Sequence, residues 1–105
     1  MRTVTILRPD ITGGEVADVL GRALGPNWEV IVIPATGTGN EDAVLVKTGS
    51  SRLWRVHVSV VRQLDRTKLS VTPGGLLFGR LVNSFGIART VTRVLHQSAE
   101  LRMPA

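Results

Sequence analysis

Leu53-Trp54-Arg55-Val56-His57-Val58-Ser59-Val60-Val61 alternates apolar and polar residues along most of its length. Strand side chains point alternately to the two faces of a sheet. Trp54, Val56, Val58 and Val60 are therefore predicted on one, buried face, with Arg55, His57 and Ser59 on the other. Such alternation marks an antiparallel sheet covered on one side only. Toward the C-terminus, a turn around Gln63-Leu64-Asp65-Arg66 leads into residues 68–72, where Leu69 and Val71 continue the buried face. Toward the N-terminus, Thr48-Gly49-Ser50-Ser51 reads as a hairpin turn back to a short strand over 43–47.

Farther out, residues 34–41 form a polar, glycine-containing loop, and 28–33 a strand containing Val30-Ile31-Val32-Ile33. A run apolar on both faces predicts a central strand, or one covered on both sides. Before it stands Thr12-Gly13-Gly14-Glu15, a capping box: the Thr12 hydroxyl can accept from the third helical N–H while Glu15 reaches back to the Thr12 amide. Val16, Val19, Leu20, Ala23 and Leu24 follow at helical spacing, and Gly25-Pro26 ends the helix. Residues 3–7 read as a first strand, with Val4 and Ile6 on one face. At the other end, Pro73-Gly74-Gly75 interrupts the sheet and precedes a helix predicted over about 76–101. Leu77, Leu81, Phe85, Ala88, Val91, Leu95 and Ala99 form its apolar stripe. Gly79 and Gly86 lie inside that pattern.

The order is β-α-β-β-β-β-α: a single α+β domain over residues 1–105, with a five-stranded, mainly antiparallel sheet and two helices on one face. This order resembles the half-repeat of TATA-binding-protein-like domains and a shortened helix-grip domain. The likeness is one of element order, so it implies an architecture and no particular activity.

A chain of 105 residues can bury one core without staples, and with no cysteine it has neither disulfides nor thiolate chemistry. The first ten residues lack the apolar stretch of a signal peptide, and no apolar run nears the ~20 residues of a membrane span. A cytoplasmic protein with no membrane span is the expectation. Net charge is +5, unevenly placed: residues 1–42 carry three cations against six acids, and residues 43–105 ten cations against Asp65 and Glu100.

Two surfaces emerge as candidate sites. On the outward sheet face, Arg55, His57 and Ser59 are joined by Lys68, Ser70 and Thr72 from the next strand and by Lys47 and Thr5, interleaved with Ile31, Ile33, Leu45 and Val61. That mixture suits an acidic protein surface, nucleic acid or a second copy of the chain, and equally a solvated face. On the C-terminal helix, Arg89, Arg93 and His96 lie at i, i+4 and i+7 opposite the apolar stripe, with Phe78 and Val82 earlier on that side. A basic helix face tracks phosphate or acidic partners, or simply faces water. Glycine loops at 36–40 and 73–75 lack a phosphate-binding fingerprint. His57 and His96 sit on different elements with no paired carboxylate, so the residues indicate no catalytic set, metal site or cofactor. The expectation is a non-catalytic binding or assembly module whose basic half engages an anionic macromolecule. The alternative is a homodimeric structural protein or a carrier of a small apolar ligand, using the open sheet face.

Overall fold

The structure, a computed structural model, describes residues 2–33, 41–48, 51–73 and 87–102, with the side chains at 48, 51–54, 99 and 100 excepted. The Trp54 side chain, the loop at 34–40, the Gly49-Ser50 turn, the Gly74-Gly75 pair and the expected helical stretch over 76–86, with its stripe residues and both glycines, lie outside what is described.

The elements are β1 (Arg2–Ile6), α1 (Gly13–Leu24), β2 (Trp28–Ile33), β3 (Glu41–Thr48), β4 (Ser51–Arg62), β5 (Thr67–Pro73), α2 (Ile87–Gln97) and the short α3 (Ala99–Arg102). The strands form one antiparallel sheet in the order β1-β5-β4-β3-β2. This is the expected α+β arrangement.

The register sorts the side chains. Residues paired across antiparallel strands share a face, and Val4–Leu69–Val60, Val71–Val58–Val44–Val32 and Val56–Val46–Val30 run across the sheet as inner-face rows. Every fully buried strand residue lies on that face. Both longer helices cover it, α1 over β2 and β3, and α2 over β5, β1 and β4. Val16, Val19 and Leu20 of α1 and Ile87, Ala88, Val91 and Leu95 of α2 complete the core. Burying a side chain of this size stabilises the fold by about 1.5–3 kcal/mol relative to leaving it in water, so the alternation in β4 and the two helical stripes act together.

Three local expectations are revised. The apolar run in β2 does not mark a central strand. β2 is a sheet edge, hydrogen-bonded to β3, and its Val32 and Ile33 are 38% and 46% exposed. The run is apolar on both faces because Trp28 and Val30 pack toward the core beneath α1 while Ile31 and Ile33 belong to the outer face. At the start of α1, Thr12 does cap: its Oγ1 accepts from the Glu15 N–H at 3.2 Å. The Glu15 carboxylate, however, goes to Arg8 Nη2 at 2.9 Å. The C-terminal helix is also not continuous to residue 101. It stops at Gln97, and Ser98 starts a new turn by accepting from the Leu101 N–H at 3.4 Å. The break lets Leu101 enter the core while Arg102 returns to donate to the His96 carbonyl at 2.8 Å. At the end of α1, Gly25 takes φ +84°, a left-handed value that favours glycine.

Among the described residues, no helix is long and apolar enough to cross a membrane.

Candidate functional site: the open sheet face

With both longer helices on the inner face, the other face of the sheet is left without a helical cover among the described residues. The register assembles it row by row. Glu29, Lys47 and Arg55 form one row; Ile31, Leu45, His57 and Thr72 the next; Ile33, Ala43, Ser59, Ser70 and Thr3 the third; Glu41, Val61, Lys68 and Thr5 the last. All four sheet residues expected at this site, Lys47, Arg55, His57 and Lys68, thus lie on one face. Thr5, Ser59, Ser70 and Thr72 join them.

The face is graded. Its β2–β3 side is apolar through Ile31, Ile33, Leu45 and Ala43, and its β5–β1 side carries hydroxyls. Cations stand at both ends. Arg55 and Lys68 sit six residues apart along the register, roughly 20 Å at 3.3–3.4 Å per residue. His57, which is exposed, lies between them.

Arg55 is the least satisfied group. It stands directly opposite Lys47, an arrangement in which like charges destabilise a strand pair. Lys47 leans to Glu29 at 3.9 Å, a solvent-screened contact worth at most about 1 kcal/mol. The Arg55 Nε–H is buried and has no hydrogen-bond acceptor. A buried donor left unmade costs about 1–3 kcal/mol, and turning the guanidinium outward to an anionic group at this end of the face would relieve that cost.

The helix-borne set lies elsewhere. Arg89, Arg93 and His96 are exposed on α2, as their spacing predicts. Because α2 packs on the inner side of the sheet, they occupy the opposite side of the molecule from Lys47, Arg55, His57 and Lys68. The two sets do not form one site. His57 and His96 are separated in the same way.

The charge split between the halves is partly consumed by the fold. Arg62 pairs with Asp42 at 2.8 Å, and Lys47 with Glu29, so two cations of the basic half are held by acids of the acidic half. Arg66 pairs with its neighbour Asp65 at 2.9 Å. Among the described residues Arg55, Lys68, Arg89 and Arg93 form no ion pair.

Two polar clusters were not anticipated from sequence, and both are structural. Asp42 and Arg62 occupy inner-face positions at the same end of β3 and β4. Asp42 Oδ2 also accepts from the Gly13 N–H at 2.7 Å, and Arg62 Nη1 donates to the Ile11 carbonyl at 3.1 Å. A Cβ at residue 13 would stand 2.9 Å from Asp42 Cβ, so only glycine lets the helix start sit this close. Arg8, 5% exposed, donates from Nε to Asp10 at 2.6 Å, from Nη2 to Glu15 and from Nη1 to the Leu101 carbonyl at 3.5 Å. Its own carbonyl accepts from Thr67 Oγ1 at 2.6 Å. The Arg8 hydrogen bond holds the Asp10 carboxyl below its ordinary range.

An open groove of about 650 Å³ lies beside the β4–β5 turn, lined by Pro9, Arg62, Gln63, Leu64 and Asp65. Arg62 is already held by Asp42 and Ile11, so the groove offers a ligand little unspent polarity. The sheet face is the stronger candidate. Comparison with protein families, curated proteins and solved structures finds no match for this chain.

Proposed function

We propose that this is a cytoplasmic, non-catalytic binding module that seats an anionic macromolecule on the outer face of its sheet. The acidic surface of another protein fits that face better than nucleic acid does. The observation that carries this reading is Arg55: a buried Nε–H without an acceptor, facing Lys47, on an uncovered face that also presents His57 and Lys68. Ile31, Leu45 and Ala43, on the β2–β3 side of the face, give a protein partner an apolar patch bordered by Lys47, Arg55 and His57. Single-stranded nucleic acid recognised on a sheet is typically stacked on aromatic platforms. No aromatic side chain stands among the described outer-face residues.

The test is fluorescence anisotropy with three labelled probes: a Glu-rich peptide carrying leucines, single-stranded DNA and duplex RNA. Binding of the peptide is expected to weaken about tenfold between low and physiological salt, as charge-steered contacts do. Arg55→Glu with Lys68→Glu should weaken it at least tenfold more, with circular dichroism unchanged. Arg89→Glu with Arg93→Glu, on the other side of the molecule, should leave it unaltered. Tight binding of a nucleic acid with none of the peptide would transfer the site to nucleic acid. Indifference of peptide binding to the sheet substitutions would remove the sheet face.

A further inference from the structure

We propose that β2, together with the flank of α1 that lies over it, is a self-complementary edge through which two copies of the chain pair, β2 against β2 and antiparallel, to make one ten-stranded sheet. This interface is the free edge of β2, where Ile31 and Ile33 border the outer face, and it does not rest on the anion-binding reading.

The first observation is the contrast between the two sheet edges. An edge strand exposes unpaired backbone groups, and natural proteins guard such edges with lysine, proline, bulges or charge. β1 carries Arg2 with Thr3 and Thr5, and Arg8-Pro9 lies just beyond it; β2 has Glu29 near its start and Pro34 directly after its end, with no charge or proline between them. Its pairing with β3 runs without a bulge from Trp28 to Ile33, the run from Val30 to Ile33 is β-branched throughout, and Val32 and Ile33 are exposed.

The second observation is on α1. At about 100° per residue, Gly14, Ala17, Gly21 and Leu24 fall on the flank turned away from Val19 and Arg22, which stand beside Leu101. Glycine inside a helix is unfavourable and calls for a reason. Among the described residues Gly21 has none: a Cβ there would meet nothing within 4 Å, and one at Gly14 would meet only the Thr12 hydroxyl at 3.7 Å. Close approach of a second backbone supplies the reason.

The occupant is a second copy because the edge matches itself. A two-fold axis perpendicular to the sheet keeps both inner faces on one side and brings the two α1 flanks toward each other. With Ile31 opposite Ile31 of the partner copy, Val30 faces Val32 and Glu29 faces Ile33, so no like charges meet. The strand edge is about 20 Å long. With the helix flank above it, the contact is roughly 400 Å² per copy, half of a standard interface. A contact of this size makes a transient dimer rather than a permanent one. Pairing of β2 with β1 of another copy would propagate as an open filament, and Arg2 on β1, with Arg8-Pro9 just beyond it, opposes that.

Sedimentation velocity on the full chain from about 10 µM to about 1 mM tests this. The weight-average mass should rise from 11.3 kDa toward twice that value. Ile33→Lys should hold it at the monomer value. Gly21→Gln, placed in open space so that the fold is kept, should do the same, whereas Arg55→Glu with Lys68→Glu should leave association intact. A mass that stays at 11.3 kDa up to 1 mM overturns the proposal. So does association that survives either edge substitution, or that is lost only with the outer-face pair.

Discussion

Asp42→Ala is expected to lower the unfolding free energy by about 3 kcal/mol, at the lower end of what removing one partner of a buried pair costs. The lower end is appropriate because Arg62 and Asp42 keep 17% and 13% of their side-chain surface in contact with water. Two groups lose their acceptor together: the Arg62 guanidinium and the Gly13 N–H at the start of α1. For a chain of this length the change corresponds to a fall in melting temperature of roughly 15 °C, measurable by calorimetry or a urea titration. Asp42→Ala with Arg62→Met should recover part of the loss, since an apolar residue leaves no stranded charge. A loss below about 0.5 kcal/mol would mean that water replaces the carboxylate at no cost.

Arg8→Ala should cost about 2 kcal/mol, combining lost packing with lost charge-assisted hydrogen bonds. Its partners limit the damage: the Asp10 and Glu15 side chains are 60% and 35% exposed and rehydrate when the guanidinium is gone. A pH titration gives the more specific signature. The hydrogen bond from Arg8 lowers the Asp10 carboxyl, and that from Arg66 lowers Asp65. A carboxyl whose folded value lies below its unfolded one leaves the unfolded chain holding more protons between the two. The stability it contributes is present above about pH 4, the ordinary Asp range, and is lost as pH falls through the folded value. Wild-type melting temperatures should therefore be level near neutrality and decline below about pH 4. In Arg8→Ala the acid decline should be shallower, with the Asp65 contribution remaining. An unchanged acid limb would show that Asp10 is not coupled to Arg8 in solution.

Much of this architecture is legible in the residues, and the parts that are not share a physical cause. The alternation in β4 separates the inner from the outer face, and each flanking strand inherits its parity through an antiparallel register. Thr12 and Gly25 bracket α1 because helix ends are governed by a few local hydrogen bonds and one dihedral. The position of β2 is a different matter. Val30-Ile31-Val32-Ile33 reads the same whether a strand has two neighbours or one, because side-chain polarity reports on faces and not on edges. The break at Ser98 carries no glycine or proline, only a hydroxyl that can serve a helix interior or a new cap. Asp42 and Arg62 did leave a trace: each puts a charge where the inner-face parity calls for an apolar residue, at matching ends of adjacent strands. Opposite charges at core parity on consecutive strands are a usable sign of an interior pair. Arg8 left a weaker one, since its neighbour Asp10 is near in sequence but the Glu15 and Leu101 contacts depend on the tertiary fold. Of the candidate site, membership of the sheet face followed from parity, whereas its separation from Arg89 and Arg93 required knowing which side the helices cover.

The pairing of β1 with β5 also sets a timetable. Ile6 meets Thr67, 61 positions later in the chain, whereas β2 to β5 join neighbour to neighbour through consecutive hairpins. Long-range closure is entropically slow and comes after local pairing. At about 5–20 residues per second of synthesis, β1 leaves the ribosome roughly 3–12 s before its partner strand exists. The β2–β5 meander can form first, leaving an open seam along β5 that the earlier-made β1 closes last.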